Sequence, residues 1–151
     1  HSQGGDSLNF SAAGAGNAVL IKSAHPWLDD ISGPRSLARM QELNPDAQGN
    51  PRDPRRLCAG QALLCRSLDL KIADWDARNF DPARFYVEDV GASPRRLINA
   101  PRLGIPTGRD EHLFYRYVDP EYAAFCTRNP LRRGQQQGRD YVMVDIRGTI
   151  L

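Results

Sequence analysis

Apolar residues recur at helical spacing between residues 33 and 68 and at every second position from residue 84 onward. That switch predicts helices in the first half of the chain and strands in the second. Ahead of both, Ser7 to Ser11 and Asn17 to Ser23 read as strands joined by a small-residue loop, Ala12 to Gly16. Ala18, Val19, Leu20 and Ile21 are consecutive and apolar, the pattern of a strand buried on both faces. Gly33-Pro34 opens a helix, because proline is tolerated in a first turn where its missing N–H has no partner to lose. Leu37, Met40 and Leu43 form the apolar stripe of that helix, and Asn44-Pro45 stops it. Asp46 to Pro51 is a polar loop of turn formers. A second helical stretch starts near Asp53-Pro54 and runs to about Leu68, with Leu57, Leu64, Cys65 and Leu68 on one face. Gly60 interrupts it, so two short helices meeting there fit equally well.

In the second half, Arg84 to Val87, Arg95 to Ile98, Arg102 to Ile105, Leu113 to Val118 and Tyr141 to Ile146 read as strands, most of them separated by Gly/Pro turns. Thr127 to Asp140, with Arg132, Arg133 and three consecutive glutamines, reads as a polar loop. No internal repeat and no linker calls for a division of the chain. The order of elements predicts an α+β fold in a single domain over residues 1–151: a mostly antiparallel, curved sheet with a few short helices packed against it.

Composition changes this picture little. The 40% apolar and 25% charged residues are ordinary for a globular protein, and no apolar run approaches the ~20 residues of a membrane helix. The net charge is only +2, yet 18 of the 20 basic residues are arginine, since Lys22 and Lys71 are the only lysines. Arginine presents a planar fork of donors that matches phosphate oxygens, although a solvated arginine face needs no ligand at all. Cys58, Cys65 and Cys126 are odd in number and lack CxxC spacing, which argues against a zinc site or a disulfide framework. Buried thiols in a reducing compartment account for them.

His1-Ser2-Gln3-Gly4-Gly5 looks like part of the nucleophile elbow of serine hydrolases, with Ser2 and Gly4 in place. An elbow needs a helix after the serine, and Asp6 to Ser23 carries strand and turn signals instead. A triad also needs an acid followed by a histidine; His112 is the one reasonable candidate, and no strand-end Asp stands out before it.

Four blocks, in order, resemble the alkyladenine (3-methyladenine) DNA glycosylase family. They are Ser7-Leu8-Asn9-Phe10-Ser11 with the strand Ala18 to Ala24, the helix Arg35 to Met40, the stretch Leu57-Cys58-Ala59-Gly60-Gln61-Ala62-Leu63-Leu64-Cys65-Arg66-Ser67-Leu68-Asp69-Leu70, and Pro101-Arg102-Leu103-Gly104-Ile105 with the aromatic strand Phe114 to Val118. The resemblance covers residues 5 to 118 and implies excision of alkylated or deaminated purines from double-stranded DNA. Such an enzyme rotates the purine out of the duplex, because the C1′–N bond is inaccessible in stacked DNA, and hydrolyses that bond. The resemblance implies no metal and no cofactor, since a damaged purine is already a good leaving group and a carboxylate can activate water. A monomer in the bacterial cytoplasm, associated with the nucleoid and not with a membrane, is the matching expectation.

Carried over residue by residue, the resemblance makes Asn9 the pocket asparagine that crowds the exocyclic amino group of guanine. Lys22 stands where the family usually has an arginine that helps hold the catalytic carboxylate and water; lysine keeps the charge but loses the bidentate fork. The backbone carbonyl of Leu103 touches the same water, and Gly104 gives a close approach or a positive φ beside the substrate. Gly60 lies where family helices begin near the DNA backbone, with Gln61 in place of the usual proline. Arg55, Arg56 and Arg102 are the expected phosphate contacts. The family's catalytic Glu and its aromatic and histidine pocket walls come before the Asn-bearing strand, and nothing in residues 1–151 replaces them. The chain therefore reads as the C-terminal part of a glycosylase, inactive by itself. A catalytically dead nucleic-acid-binding domain of the same fold is the alternative, with the serine hydrolase behind it.

Overall fold

The computed structural model describes residues 5–79 and 81–151. The elbow-like run His1 to Gly4 lies outside them. The class is α+β, and the chain forms two compact units. One runs to Tyr86 and takes in Phe125–Thr127; the other comprises Val87–Ala124 and Arg128–Leu151.

The first unit begins with an antiparallel ribbon of β1 (Leu8–Ser11) and β2 (Ala18–Ile21), in register Leu8↔Ile21 and Asn9↔Leu20. The loop between them closes with the Ala12 N–H donating to Asn17 O at 3.0 Å. Helix α1 (Gly33–Leu43) follows, with Pro34 in its first turn as the sequence required. Just ahead of it, the Asp29 carboxylate accepts the N–H groups of Ile31 and Ser32 at 2.8 and 2.6 Å. A 3-10 turn at Pro54–Arg56 and helix α2 (Gln61–Ser67) meet at Gly60, so the second helical stretch is two pieces. Helix α3 (Ile72–Trp75) is too short to leave a periodic signal.

The core of this unit is Leu57, Cys58 and Leu64, all no more than 2% exposed, with Leu8, Ile21, Leu37 and Met40 packed around them. Leu8 and Ile21 are a directly opposed pair, so one end of the ribbon reaches the core. The rest of β2 does not, and Val19 is 58% exposed. The apolar run at 18–21 is therefore not a strand buried on both faces. A two-stranded ribbon has only one neighbour in its plane, and only the Ile21 end of β2 meets packed side chains.

A polar knot sits inside this core. Asn44, the C-cap residue of α1, is fully buried. Its Nδ2 donates to the carbonyls of Leu57 (2.9 Å) and Leu63 (3.1 Å) and to Ser67 Oγ (3.1 Å). Ser67 Oγ in turn donates to Leu57 O at 2.9 Å. One amide thus ties the end of α1 to the 3-10 junction and to α2. From outside, Arg52 caps the same chain reversal, its guanidinium donating to Asn44 O and Pro45 O. The thiols of Cys58 and Cys65 are each 2% exposed, and burial pushes both up from the ordinary thiol range.

The second unit is built on a three-stranded antiparallel sheet in the order β4-β3-β5, with β3 Leu97–Ala100, β4 Arg116–Val118 and β5 Val142–Val144. The central strand is the buried one: Ile98 is 0% exposed and Ala100 3%. Asn99 Nδ2 donates to Phe114 O at 2.7 Å and holds the approach to β4. Two expected strands are absent. Arg102–Ile105 is a turn, because Gly104 takes φ +74° and reverses the chain. At 84–87 only an isolated bridge between Asp81 and Phe85 forms, and Arg84 instead stacks over Trp75, 4.8 Å from the ring centre. A 3-10 segment at Pro120–Phe125 starts after Asp119, whose carboxylate accepts the Glu121 N–H at 2.9 Å.

Two outcomes are expected. Asn44→Ala leaves the Leu57 and Leu63 carbonyls short of a donor inside the core, and should cost about 2–4 kcal/mol, from unmade buried hydrogen bonds plus a small cavity. Urea unfolding measures it; a loss below about 1 kcal/mol would show that the knot is incidental. The second outcome concerns acid. The carboxyls of Asp29, Asp53, Glu111 and Asp140 are all lowered from 3.8 or 4.5, chiefly by the Ser32 N–H, the Arg55 side chain, the Gly108 N–H and the Arg139 side chain respectively. A lowered carboxyl stabilises the fold above its unfolded pKa and stops doing so as pH falls through the folded value. The melting temperature should therefore hold from pH 7 to about 5 and drop below about 4; a rise on acidification would contradict these assignments.

Candidate functional site

Strand alternation decides which sequence-predicted residues share a surface. Asn9 faces Leu20 across the ribbon, and opposed residues lie on one face. Lys22 follows Ile21 directly at the exit of β2, one residue past the paired register. Leu8 and Ile21, on the opposite face, are the pair that reaches the core. Asn9 is exposed, and its Nδ2 donates to Ser7 Oγ at 3.2 Å. An exposed amide held by one local bond keeps its carbonyl and its second N–H for a ligand.

Lys22 is half-buried, and its Nζ donates to Gln61 Oε1 at 2.8 Å. Among the described residues it forms no ion pair. Two of the positions at which the sequence departs from the resemblance, Lys22 and Gln61, are thus bonded to each other. A proline at 61 could not accept this bond, and a shorter cation such as lysine profits from a fixed acceptor that aims it. The backbone brings them together through a bond from the Ala24 N–H to Cys58 O at 3.0 Å, which docks the exit of β2 on the junction before α2.

Gly60 is the N-cap of α2 in extended conformation, at φ −175°. What requires glycine there is space: a Cβ would stand 3.1 Å from Thr127 Oγ1, which is fixed by donating to Ala59 O at 2.8 Å. Arg55 and Arg56 precede it on the 3-10 turn. The fork of Arg55 is occupied by Asp53, with contacts of 3.1 and 2.8 Å, and stacks 5.8 Å from the Phe125 ring. Arg56 is exposed and makes no ion pair among the described residues.

Arg102, Leu103 and Gly104 follow one another in the second unit, on the turn after β3. A Cβ on Gly104 would meet nothing within 4 Å, so its glycine serves the positive φ and not a close contact within the unit. Arg102 is exposed and Leu103 half-buried, and both line a cleft of about 190 Å³. Asn44 and the cleft's other arginines were missed at the level of sequence. Asn44 carried a signal only for stopping a helix, and the arginines converge through chain reversals that no local pattern encodes.

The comparisons agree with the four blocks. The methylpurine-DNA glycosylase family model matches residues 3–123, and the chain belongs to that family. A protein of Pseudomonas aeruginosa PAO1 named "Putative 3-methyladenine DNA glycosylase" is 67% identical over 141 residues, which are 93% of this chain and 59% of that protein. Proteins of the same name from Pseudomonas savastanoi pv. phaseolicola and Pseudomonas fluorescens Pf0-1 are 65% and 63% identical, across 96% and 95% of this chain and 65% and 62% of their own lengths. The chain thus spans roughly three fifths of the curated relatives it matches. No solved structure matches it significantly.

The Lys22–Gln61 bond can be isolated by a double-mutant cycle. Lys22→Met, Gln61→Ala and the double variant should give a coupling of about 0.5–1.5 kcal/mol in unfolding free energy, the range for a half-buried bond to a charged group. A coupling indistinguishable from zero would mean that the two side chains act independently.

Proposed function

We propose that this chain forms part of a base-excision DNA glycosylase that hydrolyses the N-glycosidic bond of alkylated or deaminated purines flipped out of double-stranded DNA. Family membership supports the class of enzyme. The observation that carries the site is Lys22, a cation aimed by Gln61 and bound to no carboxylate among the described residues, at the exit of the ribbon that also holds Asn9.

In the proposed reaction a water oxygen bonds to C1′ as the C1′–N bond breaks and its electron pair leaves with the purine. The water's proton passes to a carboxylate, which Lys22 orients together with the water. Asn9 excludes guanine by crowding its amino group. Gly104 and Gly60 let backbone approach the substrate and the DNA, and Arg56 and Arg102 contact phosphates; Arg55 contributes only when it leaves Asp53. The chemistry needs no metal: a purine made cationic by alkylation leaves as a neutral base, and a deaminated purine leaves once it has taken up a proton. The enzyme acts on duplex DNA as a monomer.

None of Asn9, Lys22 or the Leu103 carbonyl can take a proton from water, and no carboxylate of the chain matches a catalytic position in the resemblance, so the general base is assigned to a residue outside these 151. Single-turnover excision of hypoxanthine or 3-methyladenine from a labelled duplex tests this. The 151-residue chain should be slower by a factor of at least about 10²–10⁴ than a protein of the relatives' full length. Lys22→Met in the longer protein should lower the rate while leaving duplex affinity within a few-fold. Excision by the short chain at the longer protein's rate would refute the assignment of roles.

A further inference from the structure

The cleft beside Leu103 has a composition that the reading above does not use. Five arginines line it, Arg102, Arg116, Arg128, Arg132 and Arg139, against a single acidic residue, Asp140. That carboxylate is already engaged: Arg139 donates to Oδ2 through Nε and Nη2 at 3.0 and 2.7 Å, and the Gln136 N–H donates to it at 2.9 Å. Arg116 donates through Nη2 to Arg128 O at 3.0 Å. The side chains of Arg102, Arg128 and Arg132 have no ion pair and no hydrogen bond among the described residues. Arg102 and Arg128 have no anion beside them among the described residues, and Arg132 has only the Asp140 carboxylate that Arg139 already holds, so cations gathered in one cleft repel one another unless a further anion joins them.

Arg128 adds an independent observation. Among the described residues it is one of three non-glycine residues at positive φ, here 49°. An L residue in that conformation costs roughly 1–2 kcal/mol relative to glycine, so the backbone favours glycine, yet the residue present is an arginine that lines the cleft. The lining includes no aromatic ring on which a base could stack. Guanidinium forks with no stacking platform suit phosphate oxygens and not a nucleobase. The volume, about 190 Å³, is several times the ~30 Å³ of one water and admits a phosphodiester group. Residues 128–140 of the lining lie beyond the segment that the family model matches, 3–123.

We infer that Arg102, Arg128 and Arg132 form a binding site for a backbone phosphate of a nucleic-acid strand, built jointly by the turn after β3 and the loop at 128–140. The choice of a DNA strand as the source of the phosphate rests on the function proposed above; the anion chemistry of the cleft does not.

The test is fluorescence anisotropy of the 151-residue chain on a duplex bearing an abasic-site analogue, titrated between 50 and 200 mM NaCl, with Arg128→Gly and Arg132→Ala beside the wild type. Each variant should bind about eightfold more weakly at 100 mM salt, with a log–log slope shallower by about 0.9, the counterion release of one contact. Arg128→Gly keeps the carbonyl that Arg116 uses and relieves the positive φ, so its melting temperature should stay level or rise. Loss of affinity without loss of stability separates binding from folding. Wild-type binding with slopes unchanged in both variants would overturn the site and leave the DNA reading intact. If the wild type fails to bind the duplex, inorganic phosphate is titrated while the arginine Nε resonances are followed. Phosphate binding that Arg128→Gly abolishes would replace the strand with a free anion, and no binding of either ligand would overturn the site altogether.

Discussion

The buried amide of Asn44 is the constraint on which the first unit depends. Its two N–H groups are shared among three acceptors from different segments, Leu57 O, Leu63 O and Ser67 Oγ. Inside a low-dielectric core such bonds are strong when made and expensive when broken. They fix where α1 ends, where the 3-10 turn hands over to α2, and hence where Gln61 begins its helix. The apolar cluster of Leu57, Cys58 and Leu64 supplies the burial, but apolar contacts alone would tolerate a sliding junction. The directional bonds do not.

From this anchor the candidate site follows in short steps. The Ala24 N–H bonds to Cys58 O beside the knot, which sets the exit of β2 against α2 and lets Lys22 reach Gln61. Leu8 and Ile21 fix the ribbon's inner face, so Asn9 is turned outward. The chemistry proposed for these side chains therefore rests on a core more than on the loops around it. A core amide that sets the position of a surface cation is a physical reason for keeping a polar group where a leucine would pack as well.

Much of this was legible in the sequence where local physics decides. Pro34 inside the first turn and Asn44-Pro45 at the end bracketed α1, and Gly60 marked the break between two helical pieces. The Asn9-bearing strand and its partner were placed within a residue or two. What failed was decided at a distance. The exposure of β2 depends on how many strands flank it, which a run of apolar residues cannot report. Arg102–Ile105 has the alternation of a strand, yet Gly104 inside it already carried the signal for a turn. Asp119-Pro120 likewise announced the 3-10 segment that follows, through the side-chain acceptor and the fixed φ of proline. The pairing of Lys22 with Gln61 spans 39 positions, and no spacing rule reaches that far.

The central claim is that Asn9 on the ribbon and Lys22 at its exit, held by Gln61, meet damaged DNA. It is tested most directly by following the backbone amides and the Asn9 and Gln61 side-chain NH₂ resonances of the chain as a duplex with a single abasic-site analogue is titrated in. The account predicts that the amides of Asn9 and Lys22 and both side-chain NH₂ groups shift earliest and furthest, and move less with an undamaged duplex. Saturable shifts confined to other surfaces, with these four signals unmoved, would contradict it.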